Sequence, residues 1–133
     1  MSSIFTRIIK GEIPCEKILE DADFFAFLDI KPINPGHTLV VPKFEVDELF
    51  EVSDDILAKA MPFAKRVASA LKQSVPCRRI GVIVAGFEVP HAHIHLIPIE
   101  AEGELSFDRA RPAKPEELAA IGKRIRERIR EPK

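Results

Sequence analysis

The clearest pattern along the chain is an alternation of histidine with apolar residues over about residues 91–98. A period of two is typical of a β-strand, whose successive side chains point to opposite faces of the sheet. The pattern therefore predicts a strand with its histidines on one face and its apolar residues toward a core. The three histidines are His91, His93 and His95.

Other apolar runs predict the remaining strands and helices. Runs bounded by turn-forming residues indicate further strands over residues 18–20, 24–28, 37–42 and 79–84. Apolar residues at helical spacing indicate helices over residues 4–10, from about 53 to 72, and over about 115–130. Pro62 lies inside the second helix and predicts a kink, because proline lacks a backbone donor and crowds the preceding turn.

Composition and charge are typical of one globular domain. The chain is 46% hydrophobic and 31% charged, with a net charge of −1. No overall field therefore recruits nucleic acid or a membrane surface, and no apolar run approaches the about 18 residues of a membrane span. Cys15 and Cys77 are far apart and form no Cys-x-x-Cys pattern, so we expect reduced thiols and a cytoplasmic location.

Three imidazoles on one strand can serve two chemistries, of which the first is metal binding. Histidine is the commonest metal ligand in proteins. A strand rises about 3.3 Å per residue, so the Cα atoms of His91 and His95 should lie roughly 13 Å apart. Zinc–nitrogen bonds are about 2.0–2.1 Å long, so all three histidines can hardly share one ion. Two of them could, with His37 and a carboxylate completing the shell.

The second chemistry is attack of a neutral imidazole on phosphorus, while neighbouring imidazoles donate hydrogen bonds to phosphate oxygens. An isolated histidine has a pKa of about 6.5 and is mostly neutral at pH 7. Charged neighbours about 7 Å apart repel each other by roughly 2 kcal/mol at an effective dielectric constant of about 20. The middle residue, His93, is therefore the candidate nucleophile. Spacing alone leaves metal binding and phosphoryl transfer both open.

Three segments together resemble a known family. They are the His-φ-His-φ-His-φ-φ pattern at residues 91–97, the opening segment at residues 3–14, and the block at residues 27–43. Their order and spacing resemble the histidine triad (HIT) superfamily of nucleotide hydrolases and transferases, in its bacterial-type, Hint-like branch. The resemblance implies one HIT domain over residues 1–133. It also implies an α+β fold, in which a five-stranded antiparallel sheet is packed with helices and followed by a C-terminal helix.

The resemblance implies cleavage at the α-phosphate of nucleoside phosphoramidates, dinucleoside polyphosphates or related nucleotidyl esters. In this scheme His93 attacks phosphorus and forms a covalent nucleotidyl-histidine intermediate, which water or phosphate then resolves. His95 contacts the phosphate, while His37, expected near His91, sets the tautomers together with it. The scheme needs no metal and no other cofactor. The alternatives are a nucleotide-binding signalling module with weak or no turnover, and a metal-dependent hydrolase.

The same resemblance implies the substrate-binding residues. Asp29 matches a position that bonds the ribose hydroxyls, and Ile30 closes the pocket beside it. Phe5 and Ile8 are implied to line a nucleobase pocket. Glu88 either protonates the leaving group or caps its loop, and both roles are open. The partners implied are a nucleotide substrate and a second copy of the chain, with the long helix at the homodimer contact.

The chain departs from the family pattern in two places. Some bacterial relatives hold structural zinc where this chain has Ser3, Thr6 and Glu45, which weakens the metal-binding alternative. Phe87 replaces a glutamine four residues before the first triad histidine, and the preceding strand lacks a family amide. The phosphate site is therefore expected to depend on imidazoles and backbone N–H groups.

Overall fold

Five antiparallel strands form one sheet in the order β1-β2-β3-β5-β4. The computed structural model describes residues 2–130 of the chain. The strands are β1 (Lys17–Glu20), β2 (Phe24–Leu28), β3 (Thr38–Pro42), β4 (Arg79–Ile83) and β5 (Ile94–Ile99). The helices are α1 (Ile4–Ile9), α2 (Asp54–Ser74) and α3 (Pro115–Arg126). The α+β fold, with its five-stranded antiparallel sheet and C-terminal helix, is confirmed.

The two faces of the sheet bury different groups of side chains, because successive strand residues point in opposite directions. The main core packs the strands against α2 and α3, and includes Leu28, Val40, Phe63, Val67, Leu71, Ile94, Leu96 and Ile125. The opposite face packs against α1 and contains Phe5, Ile8, Phe25, Phe27, Leu39 and Val41. Since both faces are covered, β2, β3 and β5 are buried at every position.

The register of β3 fixes which residues of distant segments meet. Leu39 on β3 pairs with Phe27 on β2 and with His95 on β5. His37 lies two residues before Leu39 and so points to the same face of the sheet. The register therefore places His37 beside His95, on the face covered by α1.

A glycine turn directly before β3 makes this alignment possible. Gly36 has a φ of +92°, a left-handed conformation that side chains rarely adopt. A Cβ atom at this position would lie 3.0 Å from the Val75 side chain and 3.1 Å from that of Pro98. Glycine is therefore needed here both for the backbone conformation and for the close packing.

The triad strand differs from its predicted extent of about residues 91–98. Strand β5 covers Ile94–Ile99, so His91 and His93 lie in the segment before it. The physical reason is that β3 ends at Pro42, which has no N–H with which to continue the ladder. The last paired residues of these two strands are Val40 and Ile94.

Loop contacts hold the segment before β5 instead of a strand ladder. The backbone N–H of Ala92 donates to the carbonyl of Val46 at 2.6 Å. The backbone N–H of His91 donates to the carbonyl of Val89 at 2.8 Å. The first two triad histidines are therefore positioned by the loops around them.

Two of the predicted helices differ slightly from their expected extent. Helix α2 runs unbroken through Pro62, which lies on its exposed side, and the predicted kink stays a prediction. Helix α3 ends at Arg126, earlier than the predicted end at about residue 130. Across residues 2–130, the structure contains no helix with the length and apolar character that a membrane crossing requires.

Candidate functional site

All four histidines of the chain lie together on the α1 side of the sheet. The ring centroids of His93 and His95 are 4.9 Å apart, and those of His37 and His95 are 5.1 Å apart. The ring of Phe5 stands edge-on to His91 and His93, at 5.8 and 5.0 Å. No histidine of the four is more than 6% exposed. The structure therefore brings together the four residues that the sequence predicted as catalytic.

The backbone determines which ring nitrogen of His93 carries the proton. Nδ1 of His93 lies 2.7 Å from the carbonyl oxygen of His91. A carbonyl can only accept, so Nδ1 carries the proton and Nε2 keeps its lone pair. Burial lowers the pKa of His93 below its ordinary value, which keeps the ring neutral at pH 7. This is the protonation state that a nucleophile requires.

A second chain of hydrogen bonds sets the tautomer of His95. The backbone N–H of Ile33 donates to Nδ1 of His37 at 2.9 Å. Nε2 of His37 must then carry the proton, and it donates to Nδ1 of His95 at 2.9 Å. The remaining proton of His95 is consequently on Nε2. Burial, as the largest cause, lowers the pKa of His37 to about 4 and that of His95 to about 3.

Two ring nitrogens of the cluster are open to a ligand. Neither Nε2 of His93 nor Nε2 of His95 has a hydrogen-bond partner among the described residues. In this part of the chain every fully buried side-chain nitrogen and oxygen atom has such a partner, so these two atoms reach the surface. One presents a lone pair and the other an N–H, on rings 4.9 Å apart. The pair can therefore offer a nucleophile and a hydrogen-bond donor to one phosphate group.

The prediction that His37 lies beside His91 is wrong. His37 bonds to His95, whereas Nε2 of His91 donates to the carbonyl of Pro42 at 2.8 Å. The cause is the register, because His37 lies at the start of β3 and His91 lies beyond the end of that strand. Two separate networks thus hold the two outer triad histidines.

Asp29 lies next to the second of these networks. Its backbone N–H donates to the carbonyl of His37 at 2.9 Å, and its Oδ1 accepts from the N–H of Lys31 at 2.9 Å. Its Oδ2 is 3.6 Å from Nε2 of His37. Burial raises the pKa of the Asp29 carboxyl above its ordinary value. Asp29 thus forms the turn expected of an aspartate after a strand, and also directs one oxygen toward the histidines.

Asp29, His37 and His95 have the geometry of a possible metal site. Their three ligand atoms lie within 4.8 Å of one another. A metal on Nε2 of His37 would require the proton on Nδ1, where it would face the N–H of Ile33. The donor set therefore fits a chain of hydrogen bonds and does not fit a metal ion. It also contains only one triad histidine, where the metal hypothesis required two.

The positions that carry zinc ligands in some relatives form a hydrogen-bonded group in this chain. The hydroxyl of Thr6 and the backbone N–H of Ser3 both donate to Oε1 of Glu45, at 2.7 and 2.6 Å. These bonds hold the pKa of the Glu45 carboxyl at about 2. Neutral hydroxyls are not ligands that structural zinc prefers, and the Thr6 hydroxyl already donates to Glu45. This group does not fit the metal either.

The predicted substrate-binding residues surround the cluster in different environments. Phe5 and Ile8 lie on the buried face of α1, at 6% and 9% exposure, whereas Ile30, next to Asp29 in the chain, is 67% exposed. Glu88 is exposed; its charge adds to the burial that raises the pKa of Asp29 and partly offsets the burial that lowers the pKa of His93, which places it on their side of the molecule. The structure thus shows Phe5 against the triad and Ile30 open to solvent.

Two features of the site were missed in the sequence. The ring of Phe107 stands edge-on to His95 at 5.0 Å, although Phe107 lies between the predicted triad strand and the predicted C-terminal helix, outside every predicted element. A single aromatic residue in this largely polar stretch was the available signal. The other feature is the hydrogen bond between Oγ of Ser3 and Nδ1 of His91, which are 2.7 Å apart. The local sequence carries no signal for this contact.

Comparisons with known proteins agree with this geometry. The family model described as HIT domain matches residues 10–102. A Schizosaccharomyces pombe protein named adenosine 5'-monophosphoramidase is 38% identical over 138 residues, covering 98% of this chain and 100% of its own. A Hit-like protein from Bartonella henselae has a TM-score of 0.85 at 31% identity, covering 96% of both chains. A zinc-bound histidine triad family protein from Mycobacterium smegmatis has a TM-score of 0.80 at 28% identity, covering 96% of this chain and 93% of its own.

Burial of neutral histidines should make the protein sensitive to acid. His37 and His95 bind protons in the unfolded chain near pH 6.5, but in the folded state only near pH 4 and pH 3. The unfolded state therefore binds more protons between these values. We expect the free energy of unfolding to fall below pH 6.5 by up to about 1.4 kcal/mol per pH unit for each histidine. Urea unfolding at pH 7, 6 and 5 measures this slope.

The variant His37→Gln tests whether His37 is one of these buried, neutral histidines. It removes one of the two titrating histidines. Between pH 6.5 and pH 5 its free energy of unfolding should therefore fall less steeply, by up to about 1.4 kcal/mol per pH unit, the slope that one proton contributes. The raised pKa of Asp29 acts in the opposite direction at lower pH, and it is present in both proteins. Equal slopes in the two proteins would contradict a buried, neutral His37.

Proposed function

Because the chain belongs to the histidine triad (HIT) family of enzymes, we propose that it is a nucleotide hydrolase or transferase acting at the α-phosphate. Its substrates would be nucleoside phosphoramidates, dinucleoside polyphosphates or related nucleotidyl esters. The observation that carries the proposal is the tautomer of His93, since its Nε2 is the only unprotonated ring nitrogen of the four histidines to which no residue between 2 and 130 donates. The name of the fission yeast relative, adenosine 5'-monophosphoramidase, supports the phosphoramidate class.

The reaction begins with attack of His93 Nε2 on the α-phosphorus. A phosphorus–nitrogen bond forms and the bond to the leaving group breaks, which gives a nucleotidyl-histidine intermediate. The ring becomes cationic as it attacks, and the carbonyl of His91, 2.7 Å from Nδ1, stabilises that charge. Water or inorganic phosphate then attacks phosphorus, and His93 leaves with its lone pair restored.

His95 stabilises the phosphate while His37 positions it. The Nε2–H of His95 donates to a phosphate oxygen as negative charge develops there. His37 fixes this proton in place, since its own proton occupies Nδ1 of His95 at 2.9 Å. The scheme uses neutral donors throughout and routes no step through a metal or another cofactor.

The remaining site residues would bind the nucleoside and assist the leaving group. We assign Asp29 to the ribose hydroxyls, because its Oδ2 faces the site and a carboxylate accepts from both hydroxyls of a diol. Ile30 would close the pocket beside it, and Phe5 and Ile8 would form its apolar wall. Glu88 is exposed on the side of His93, where its carboxylic acid form would protonate the leaving group or its carboxylate would cap the loop.

A second candidate function is nucleotide binding with weak turnover. Asn34, the only asparagine, donates to the carbonyl of Pro98 and to Glu104 and accepts from Arg109, so it does not serve the phosphate. Phe87, at the position of a family glutamine, is 98% exposed. The absence of an amide donor near the described histidines favours a site that holds nucleotide and turns it over slowly.

We also propose that the protein is a homodimer formed through the edge strand β4. Within residues 2–130 this strand pairs only with β5, and it carries the exposed Val82, with the exposed Val84 directly after the strand. An unpaired apolar edge readily pairs with a second strand, and two copies of one edge can do so about a two-fold axis. Helix α2, implied by the family resemblance at the dimer contact, packs against β4.

Replacing the proposed nucleophile His93 distinguishes an enzyme from a nucleotide-binding module. His93→Gly should still bind nucleotide, but its turnover should fall by about 1,000-fold or more, because the atom that forms the bond is gone. His95→Ala should lose less. Rapid quench and intact mass measurement of the wild type should detect an added nucleoside monophosphate mapped to His93. Adenosine phosphoramidate, dinucleoside polyphosphates and nucleotidyl sulfates are the substrates to screen, with and without chelator.

Two outcomes of that screen would contradict the mechanism. Equal turnover in wild type and His93→Gly, with no adduct on any substrate, would leave the binding module as the function. Loss of activity in chelator, restored by zinc, would show instead that a metal takes part.

Asp29 should discriminate between ribose and deoxyribose. Asp29→Ala should weaken ribonucleotide binding by about 1.5–3 kcal/mol, the usual range for hydrogen bonds to a charged group. Deoxyribonucleotides should lose less, because one of the two hydroxyls is absent. Titration calorimetry measures both, and Asp29→Asn is the control that keeps an acceptor for the Lys31 turn. Equal losses for both sugars would show that Asp29 serves only the turn.

The dimer proposal is tested by a charge placed on the edge strand. Val82→Lys should convert the protein to a monomer in sedimentation velocity, because lysine on an edge strand prevents strand pairing. Phe50→Lys, a matched change at another exposed apolar residue, should remain dimeric. A monomeric wild type, or a dimer broken only by Phe50→Lys, would refute pairing through β4.

A further inference from the structure

A hydrogen-bonded network connects the start of helix α1 to the histidine cluster. We call it the α1 network (Ser3, Thr6, Glu45 and His91). The hydroxyl of Ser3 lies 2.7 Å from Nδ1 of His91, 88 positions later in the chain. Oγ of Ser3 also accepts from the backbone N–H of Thr6 at 3.0 Å and thereby caps α1. Glu45 joins both residues through its Oε1. Hydrogen bonds thus join three segments that are far apart in the sequence: the start of α1, the loop at Glu45 and the segment before β5.

The direction of the bond between Ser3 and His91 follows from the other ring nitrogen. Nε2 of His91 lies 2.8 Å from the carbonyl of Pro42, which can only accept, so Nε2 carries the proton. Nδ1 therefore needs a donor, and the hydroxyl of Ser3 provides it. His91 is fully buried at 0% exposure and Ser3 is 8% exposed. Without that hydroxyl Nδ1 would be a buried acceptor whose other neighbour, the Thr6 hydroxyl at 3.4 Å, already donates to Glu45. The present orientation of the ring would then no longer be stabilised.

His91 is directly connected to the proposed nucleophile. Its own carbonyl accepts the Nδ1–H of His93 at 2.7 Å. The ring of Phe5, on α1, stands against both imidazoles. A displaced His91 would carry its carbonyl with it, and the proton of His93 could then occupy either ring nitrogen. A proton on Nε2 would remove the lone pair that attacks phosphorus.

We propose that Ser3, Thr6 and Glu45 are positioning residues that hold His91 in place and, through its carbonyl, keep the reactive tautomer of His93. The kinetic part of this proposal rests on the proposed nucleotidyl transfer, whereas its structural part does not. A further bond joins the same segments, since the N–H of Ala92 donates to the carbonyl of Val46, next to Glu45. The carboxyl of Glu45, with a pKa of about 2, stays ionised across the neutral range, so the network is constant there.

Nitrogen-15 NMR of the histidine rings tests the proposal without any substrate. In the wild-type protein His93 should show one protonated nitrogen, Nδ1, and one unprotonated nitrogen, Nε2. In Ser3→Ala the two resonances of His93 should move toward each other, as expected when both tautomers are populated. Ser3→Thr keeps the hydroxyl and should restore the wild-type spectrum.

Arg7→Gly is the matched control for a general weakening of α1. Arg7 is an exposed residue inside the helix, and glycine there lowers helix propensity while leaving the α1 network intact. Its His93 resonances should match the wild type. Resonances of His93 that are unchanged in Ser3→Ala, or that change equally in Arg7→Gly, would overturn the proposal.

Kinetics provide the second readout wherever a substrate is turned over. Ser3→Ala should lower kcat by about tenfold with little change in KM, since a misplaced catalytic group affects the reaction more than binding. Ser3→Thr should recover most of the lost kcat. A rise in KM at constant kcat would show that Ser3 supports only the apolar pocket and would overturn the kinetic part. If no substrate is turned over, the proposed function fails, while the NMR comparison still decides the α1 network.

Discussion

The site depends on the burial of four imidazoles, each of which has two ring nitrogens that need hydrogen-bond partners. Water hardly reaches them, so the protein itself must complement most of these nitrogens. Three backbone groups do so in a way that leaves no choice of tautomer: the N–H of Ile33 and the carbonyls of Pro42 and His91. Because a backbone group cannot exchange the roles of donor and acceptor, the fold determines where every ring proton lies.

The sheet explains how so many polar rings are held in an apolar setting. Side chains of the main core and of the α1 face alternate along β2 and β3, so the same strands build both layers. Leu39 belongs to the α1 face and is the pairing partner of His95. Small helix α1 then closes the layer, and Phe5 on it contacts two histidines directly. Packing and hydrogen bonding therefore act on the same rings.

The sequence predicted the strands, the helices and the choice of the four histidines as candidate site residues, because periodicity and residue type are local properties. It did not predict that His37 bonds to His95, since that contact follows from the register of β3 and from the end of this strand at Pro42. The bond between Ser3 and His91 was missed for a similar reason. It joins residues 88 positions apart, and only the folded chain brings them together.

Neutral rings beside acidic side chains also influence how a product leaves. The described part of the site holds Asp29 beside His37 and Glu88 on the side of His93, and burial keeps His37, His93 and His95 neutral at pH 7. A nucleotidyl ester or phosphoramidate has one negative charge at the α-phosphate, whereas a nucleoside monophosphate, with a second pKa of about 6, has nearly two. Under the proposed reaction, hydrolysis itself increases the repulsion between ligand and site. The carboxylates of Asp29 and Glu88, which lie beside the bound substrate, would then repel the product and speed its release.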